Sequence, residues 1–270
     1  MTVQIKNIVP QKKVKAFSLI ELSVVIIVVS IIAAGVLSVS VGKVSNNKVR
    51  ITHERINEIY KALGSYVVAN KRMPCPASII AIKSSDSNYG VEGTAAGACT
   101  AGTGVYAGGT NLVYGMVPVR TLGLKSSFAE DGFGNKIAYF IDKSFTDSSL
   151  FTSAVGSITI QKYTGGAPST VATSQMFALV SHGANQSSAF GSNSNGQNTV
   201  TADTDEMSND ATTFIDLAKT AIFTNTLTAS TERSTTFDDI IFYKSRDELL
   251  MDNQALTMTN PNISTTSNLK

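Results

Sequence analysis

Lys12-Lys13-Val14-Lys15-Ala16-Phe17-Ser18-Leu19-Ile20-Glu21 leads into 20 residues, 22–41, that carry no charge. A helix of that length spans roughly 30 Å, the thickness of a hydrocarbon core. Lys6, Lys12, Lys13 and Lys15 are the only charges before Phe17. A lysine-rich flank stays on the cytoplasmic side of a membrane, so the rest of the chain is expected on the other side. One carboxylate, Glu21, stands just inside the apolar run. In lipid it costs on the order of 2–3 kcal/mol near the midplane, and intramembrane acids of this kind usually serve a function.

Two plainer readings compete. A cleavable secretory signal has an apolar core of roughly 7–15 residues followed by a small-residue site. Here the run is longer, and Ser38 and Ser40 match such a site only loosely. A simple uncleaved anchor fits the hydropathy but leaves Glu21 without a role.

The residues Ala16-Phe17-Ser18-Leu19-Ile20-Glu21 and the apolar run after them resemble the N-terminus of a type IV prepilin, a family that includes the pseudopilins of type II secretion. The resemblance implies that a membrane-embedded peptidase cuts between Ala16 and Phe17, that Phe17 is then N-methylated, and that Glu21 pairs with the N-terminal amine of a neighbouring subunit during filament assembly. Ala16 stands where the family has Gly. Many major pilins carry a proline midway along this helix, and this chain has none between Pro10 and Pro74. Gly35 and Gly42 are the positions that would soften the helix instead.

The leader holds four of the 22 basic side chains and none of the 20 acidic ones, so the remainder carries 18 against 20. There is no basic patch of the kind nucleic acid requires. Two cysteines, Cys75 and Cys99, both fall on the extracytoplasmic side, where disulfides persist. Their even number and compartment favour a bridge over two free thiols, closing a Gly- and Ala-rich loop over 90–97. Two Cys with no nearby His do not make a zinc site.

Beyond Gly42, Val49, Ile56, Ile59, Tyr60, Leu63 and Val67 recur at helical spacing, predicting a helix over about 43–70 that ends before Pro74 and Pro76. A Gly-rich, weakly structured region is expected to about residue 115, then a short ordered segment over 116–124. Strands are expected at 136–141, 157–163, 176–181 and 237–243. Strands after one long helix imply an α+β fold, the helix packed on a C-terminal antiparallel sheet. Asp131-Gly132-Phe133-Gly134-Asn135, followed by Tyr139, resembles the Asp-aromatic-Gly turn of pseudopilins and pilin-like proteins. Segments 177–183 and 237–241 resemble elements of larger pilin-like proteins more loosely. Residues 183–210, rich in Ser, Asn, Gly and Thr, read as a long exposed loop.

Asp203, Asp205 and Asp210, with Glu206 and Asn209, could supply oxygen ligands to calcium, and the family's major pseudopilins are known for a calcium-bound loop. EF-hand spacing is missing, and a solvated acidic loop is the commoner outcome. No other cofactor is expected. His182 lacks a nucleophile-elbow context, so it reads as a turn-capping residue rather than a catalytic one. Asp238 and Asp239 are a pair of acids able to do acid/base chemistry, but they read rather as a turn entering a strand, with Lys244 and Arg246 as their candidate partners. The stretch 101–109 lacks the ending of a phosphate loop.

Together these features describe a basic leader over 1–16, a transmembrane assembly helix over 17–42, an amphipathic helix over 43–72, an extracytoplasmic pilin-like domain over 73–252 and a tail over 253–270. The resemblance implies a non-enzymatic, single-pass inner-membrane subunit, a minor pilin or a pseudopilin, built into a periplasmic or surface filament of a type IV pilus or type II secretion system. Its implied partners are the prepilin peptidase/methylase, other pilin subunits, an inner-membrane assembly platform and membrane lipid. The competing class is a membrane-anchored adhesin that binds through the Ser/Asn-rich loop.

Overall fold

The computed structural model describes residues 18–93, 99, 104–108, 111–164, 167–199, 222–224 and 238–258, with 33–43, 108, 162–164, 167–168, 222–224 and 254–258 as backbone only. One helix, α1, runs Leu19–Asn70 through Gly35 and Gly42. It ends where Lys71 turns into the left-handed region (φ 56°), the conformation that closes many helices, ahead of the helix-breaking Pro74 and Pro76. The chain divides into two compact units at Asn46/Asn47.

In the second unit, strands β1 (Tyr106–Gly108), β2 (Leu112–Met116), β3 (Ala138–Asp142), β6 (Phe177–Ser181) and β8 (Ile240–Lys244) form a five-stranded sheet in the order β1-β2-β3-β6-β8. Every neighbouring pair in it is antiparallel. With one long helix before the sheet, the fold is α+β. A smaller sheet, β5-β4-β7, joins β4 (Ile158–Thr164) to β5 (Ala167–Gln175) antiparallel and to β7 (Ile222–Thr224) parallel. A second helix, α2 (Arg246–Met258), follows β8 and runs past residue 252, the boundary expected for the body.

Ile56, Ile59, Leu63 and Val67 of α1 are buried in one core with the sheet. Their spacing of three and four residues puts them on one helical face. The rings of Tyr60, Phe177 and Phe242 meet there, with Tyr60 and Phe242 centred 5.1 Å apart. Strand alternation sends Phe140 to the opposite side of β3 from Tyr139, and there it stacks on Tyr114 at 5.0 Å. Both faces of the central strands are therefore buried, which explains their nearly continuous apolar sequence.

Two expectations need correction. The Gly-rich region before residue 115 contains β1 and β2, because Tyr114 and Val113 pair with Phe140 and Ile141 of β3 and are buried by that pairing. The segment 116–124 is ordered as expected, as a turn beyond Met116 held by bonds such as Arg120 N to Gly90 O (2.8 Å). The segment starting at residue 183 is not uniformly exposed. Ser187, Ser188, Ala189 and Phe190 are buried, since Lys136 N donates to Phe190 O (2.8 Å) and draws the loop onto the body.

Candidate assembly segment

Ser18 opens α1 as its N-cap. Its Oγ accepts from Ile20 N (3.4 Å), and its carbonyl accepts from Leu22 N (3.1 Å). Ser18 and Glu21 have the S-x-x-E spacing of a capping box, a local signal that the reading of Glu21 as an assembly residue passes over. Glu21 lies in the first turn, where a negative charge meets the positive end of the helix dipole. Farther along, Ser23 and Ser30 fold their hydroxyls back onto the carbonyls of Ile20 (2.8 Å) and Ile26 (2.7 Å). Those bonds remove two polar groups from an otherwise apolar surface.

That surface is uncovered all round. Leu19 is 88% exposed and Ile32 60%, and the apolar side chains between them are open as well. A helix hydrophobic on every side belongs in lipid or among other apolar helices. Among the described residues, no helix is long and apolar enough to cross a membrane. Ala16 and Phe17 lie outside the described residues, as do Asp203, Asp205 and Asp210. Among the described residues no group of acids, His or Cys could hold a metal ion.

In the second unit, residues 48–55 of α1 are clamped to the turn at 130–135. Asp131 is buried, and its Oδ1 accepts from Phe133 N (2.8 Å) and Asn135 N (2.9 Å). Its Oδ2 accepts from Ser181 Oγ (2.7 Å). Burial pushes this carboxyl above its ordinary pKa, against the pull of those hydrogen bonds. Gly132 N donates to Thr52 Oγ1 (2.9 Å), and Arg55 Nη1 donates to the carbonyls of Glu130 and Asp131 (2.9 Å each). A side chain at Gly132 would collide with the Lys48 carbonyl oxygen, so the turn needs glycine to approach the helix this closely.

Cys75 and Cys99 are joined in a buried disulfide with Cα atoms 5.6 Å apart. Beside it, Glu92 accepts from Arg72 twice (3.1 Å each), from Cys75 N (3.0 Å) and from Tyr66 OH (3.1 Å). Burial pushes the Glu92 carboxyl up, but the Arg72 and backbone bonds outweigh it and hold the pKa below the ordinary value. Nothing in the sequence pattern signals this clamp, because its members are brought together only by the loop closing on the helix end.

The remaining sequence candidates lie around the end of β6 and the two ends of β8. Ser181 engages Asp131, while His182 is buried with Nδ1 3.7 Å from Asp239 Oδ1. Asp238 Oδ2 accepts from Ala184 N (2.6 Å) and Asn185 N (2.9 Å), pinning the chain after β6. Lys244 and Arg246 face other partners: Lys244 reaches Asp252 (3.5 Å) and Glu248 (3.8 Å), and Arg246 reaches Asp247 (2.9 Å).

No curated protein and no solved structure matches the chain. Residues 11–37, from the basic flank into the apolar helix, match the prokaryotic N-terminal methylation motif, and with it the chain carries the signature of the type IV prepilin and pseudopilin family.

Proposed function

We propose that this protein is a structural, non-enzymatic subunit of a type IV pilus or type II secretion filament, a minor pilin or a pseudopilin. The observation that carries the reading is the methylation motif over 11–37, coinciding with an apolar helix that is exposed on all sides over 19–32 and interrupted by one acid, Glu21. The basic leader sets orientation, and residues 17–42 hold the subunit in the inner membrane with the body outside the cytoplasm. Prepilin peptidase removes residues 1–16, and the new amine at Phe17 is methylated. Glu21 of an incoming subunit then meets the Phe17 amine of one already in the filament. Both groups must shed water to pair, so the contact contributes registry more than net stability. Apolar burial between helices supplies most of the cohesion.

Mass spectrometry of the N-terminus in envelope-derived protein tests this reading. A methylated Phe17 start is expected, and an intact Met1 or a start near residue 41 would overturn it. Glu21→Ala is expected to stay in the membrane yet fail to enter filaments, and normal incorporation of that variant refutes the assigned role.

A further inference from the structure

We propose that the loop 188–198 is a cover over Lys136 whose closure is governed by the proton on that side chain, the cover closing more tightly as the amine loses its charge. Lys136 is 1% exposed. Its Nζ donates to Ile79 O (2.7 Å) and Ser194 O (2.8 Å), one carbonyl from each of two separate segments. Around it the cover is tied down by a few backbone bonds. Lys136 N donates to Phe190 O (2.8 Å), Lys83 N to Ser192 O (3.2 Å) and Ser192 N to Gly134 O (3.3 Å).

An ammonium brings three donors to this site, and among the described residues two acceptors receive them. A neutral amine brings two donors and matches the two carbonyls without burying a charge. The loop itself offers no counter-charge, for residues 183–199 contain no ionisable side chain.

The surrounding acids are committed elsewhere. From the segment between the two bridged cysteines, Asp86 accepts from Ile82 N (2.5 Å). From the 130–135 turn, Glu130 pairs with Lys83 (2.5 Å) and faces the Tyr89 hydroxyl (3.5 Å). Asp131 is taken by Ser181 and by backbone N–H groups, and Arg55 of α1 holds the carbonyls of both turn acids. Burial pulls the Lys136 ammonium down to a pKa of about 8, and the fields of Asp86 and Glu130 offset only part of that.

When the cover opens, the amine returns toward its ordinary value of 10.5. Between these two values the open form binds more protons than the closed one, so closure strengthens as pH rises. Below the closed-state value both forms are charged and closure is weakest. The two values imply that the closed-to-open ratio rises about tenfold between about pH 6.5 and about pH 9.

Pulsed hydrogen exchange with mass spectrometry on the full-length protein in detergent micelles reads this directly. Amide protection over 188–198, corrected for the intrinsic pH dependence of exchange, is expected to rise by about that factor. Lys136→Arg keeps the charge at every pH and is expected to show low, flat protection of the loop. Flat or falling protection in the unaltered protein overturns the proposal, whether or not the variant folds.

Discussion

Replacing Gly132 by alanine tests the clamp between α1 and the 130–135 turn. The added Cβ would sit well inside contact distance of the Lys48 carbonyl oxygen, which belongs to helix backbone and cannot swing aside. Relief requires the turn to withdraw from the helix by about 1 Å, enough to break hydrogen bonds of ordinary length. The bonds at risk are Gly132 N to Thr52 Oγ1 and the two from Arg55 to the Glu130 and Asp131 carbonyls. A neutral bond contributes about 1 kcal/mol and a charged-donor interaction about 1.5–3 kcal/mol, so a loss of about 3 kcal/mol is expected. Gly134→Ala is the matched control. It has open space around its would-be Cβ but a φ of 92°, so it carries backbone strain of about 1–2 kcal/mol and no collision. Urea unfolding followed by near-UV circular dichroism, which reports the Tyr and Phe packing of the body, gives both values. If Gly132→Ala destabilises no more than Gly134→Ala, the close approach is not what holds the turn to the helix.

Glu92→Gln is expected to lose about 2 kcal/mol at neutral pH, the scale of hydrogen bonds to a charged group. Because the Glu92 pKa is held below its ordinary value, its contribution is present above the unfolded pKa and disappears as pH falls through the folded one. The variant's stability should therefore converge on that of the parent in acid, and a gap that persists or widens there contradicts the clamp. The double variant Cys75→Ser, Cys99→Ser is expected to lose about 3 kcal/mol in urea unfolding, from a loop with a sequence separation of 24. A loss below about 1 kcal/mol would mean that the Glu92 clamp alone constrains this loop.

Much of the architecture was legible locally. The helix over 43–70 and the strands at β3, β4, β6 and β8 announce themselves through apolar spacing bounded by Pro, Gly and Asp turns. The 131–135 turn was legible too, though not its embrace of Lys48, Thr52 and Arg55, which lie some 80 residues earlier in the chain. β1 and β2 were hidden because Gly and Ala dominate their surroundings, and their strand character comes from pairing with β3. β5 was hidden because its Ser- and Thr-rich sequence resembles a loop until β4 lies beside it.

What the sequence by itself determined is the N-terminal chemistry. A basic flank, one acid and a 20-residue uncharged run act through charge and hydropathy, which need no tertiary contact to exist. What only the tertiary structure decided is which polar groups are buried, and with which partners. Lys136 reads as the outer end of a strand until the loop 188–198 closes over it, and Glu92 reads as one more surface acid until Arg72, Tyr66 and Cys75 converge on it. Desolvation depends on how the whole chain is packed around a group, and neighbours in sequence do not encode it.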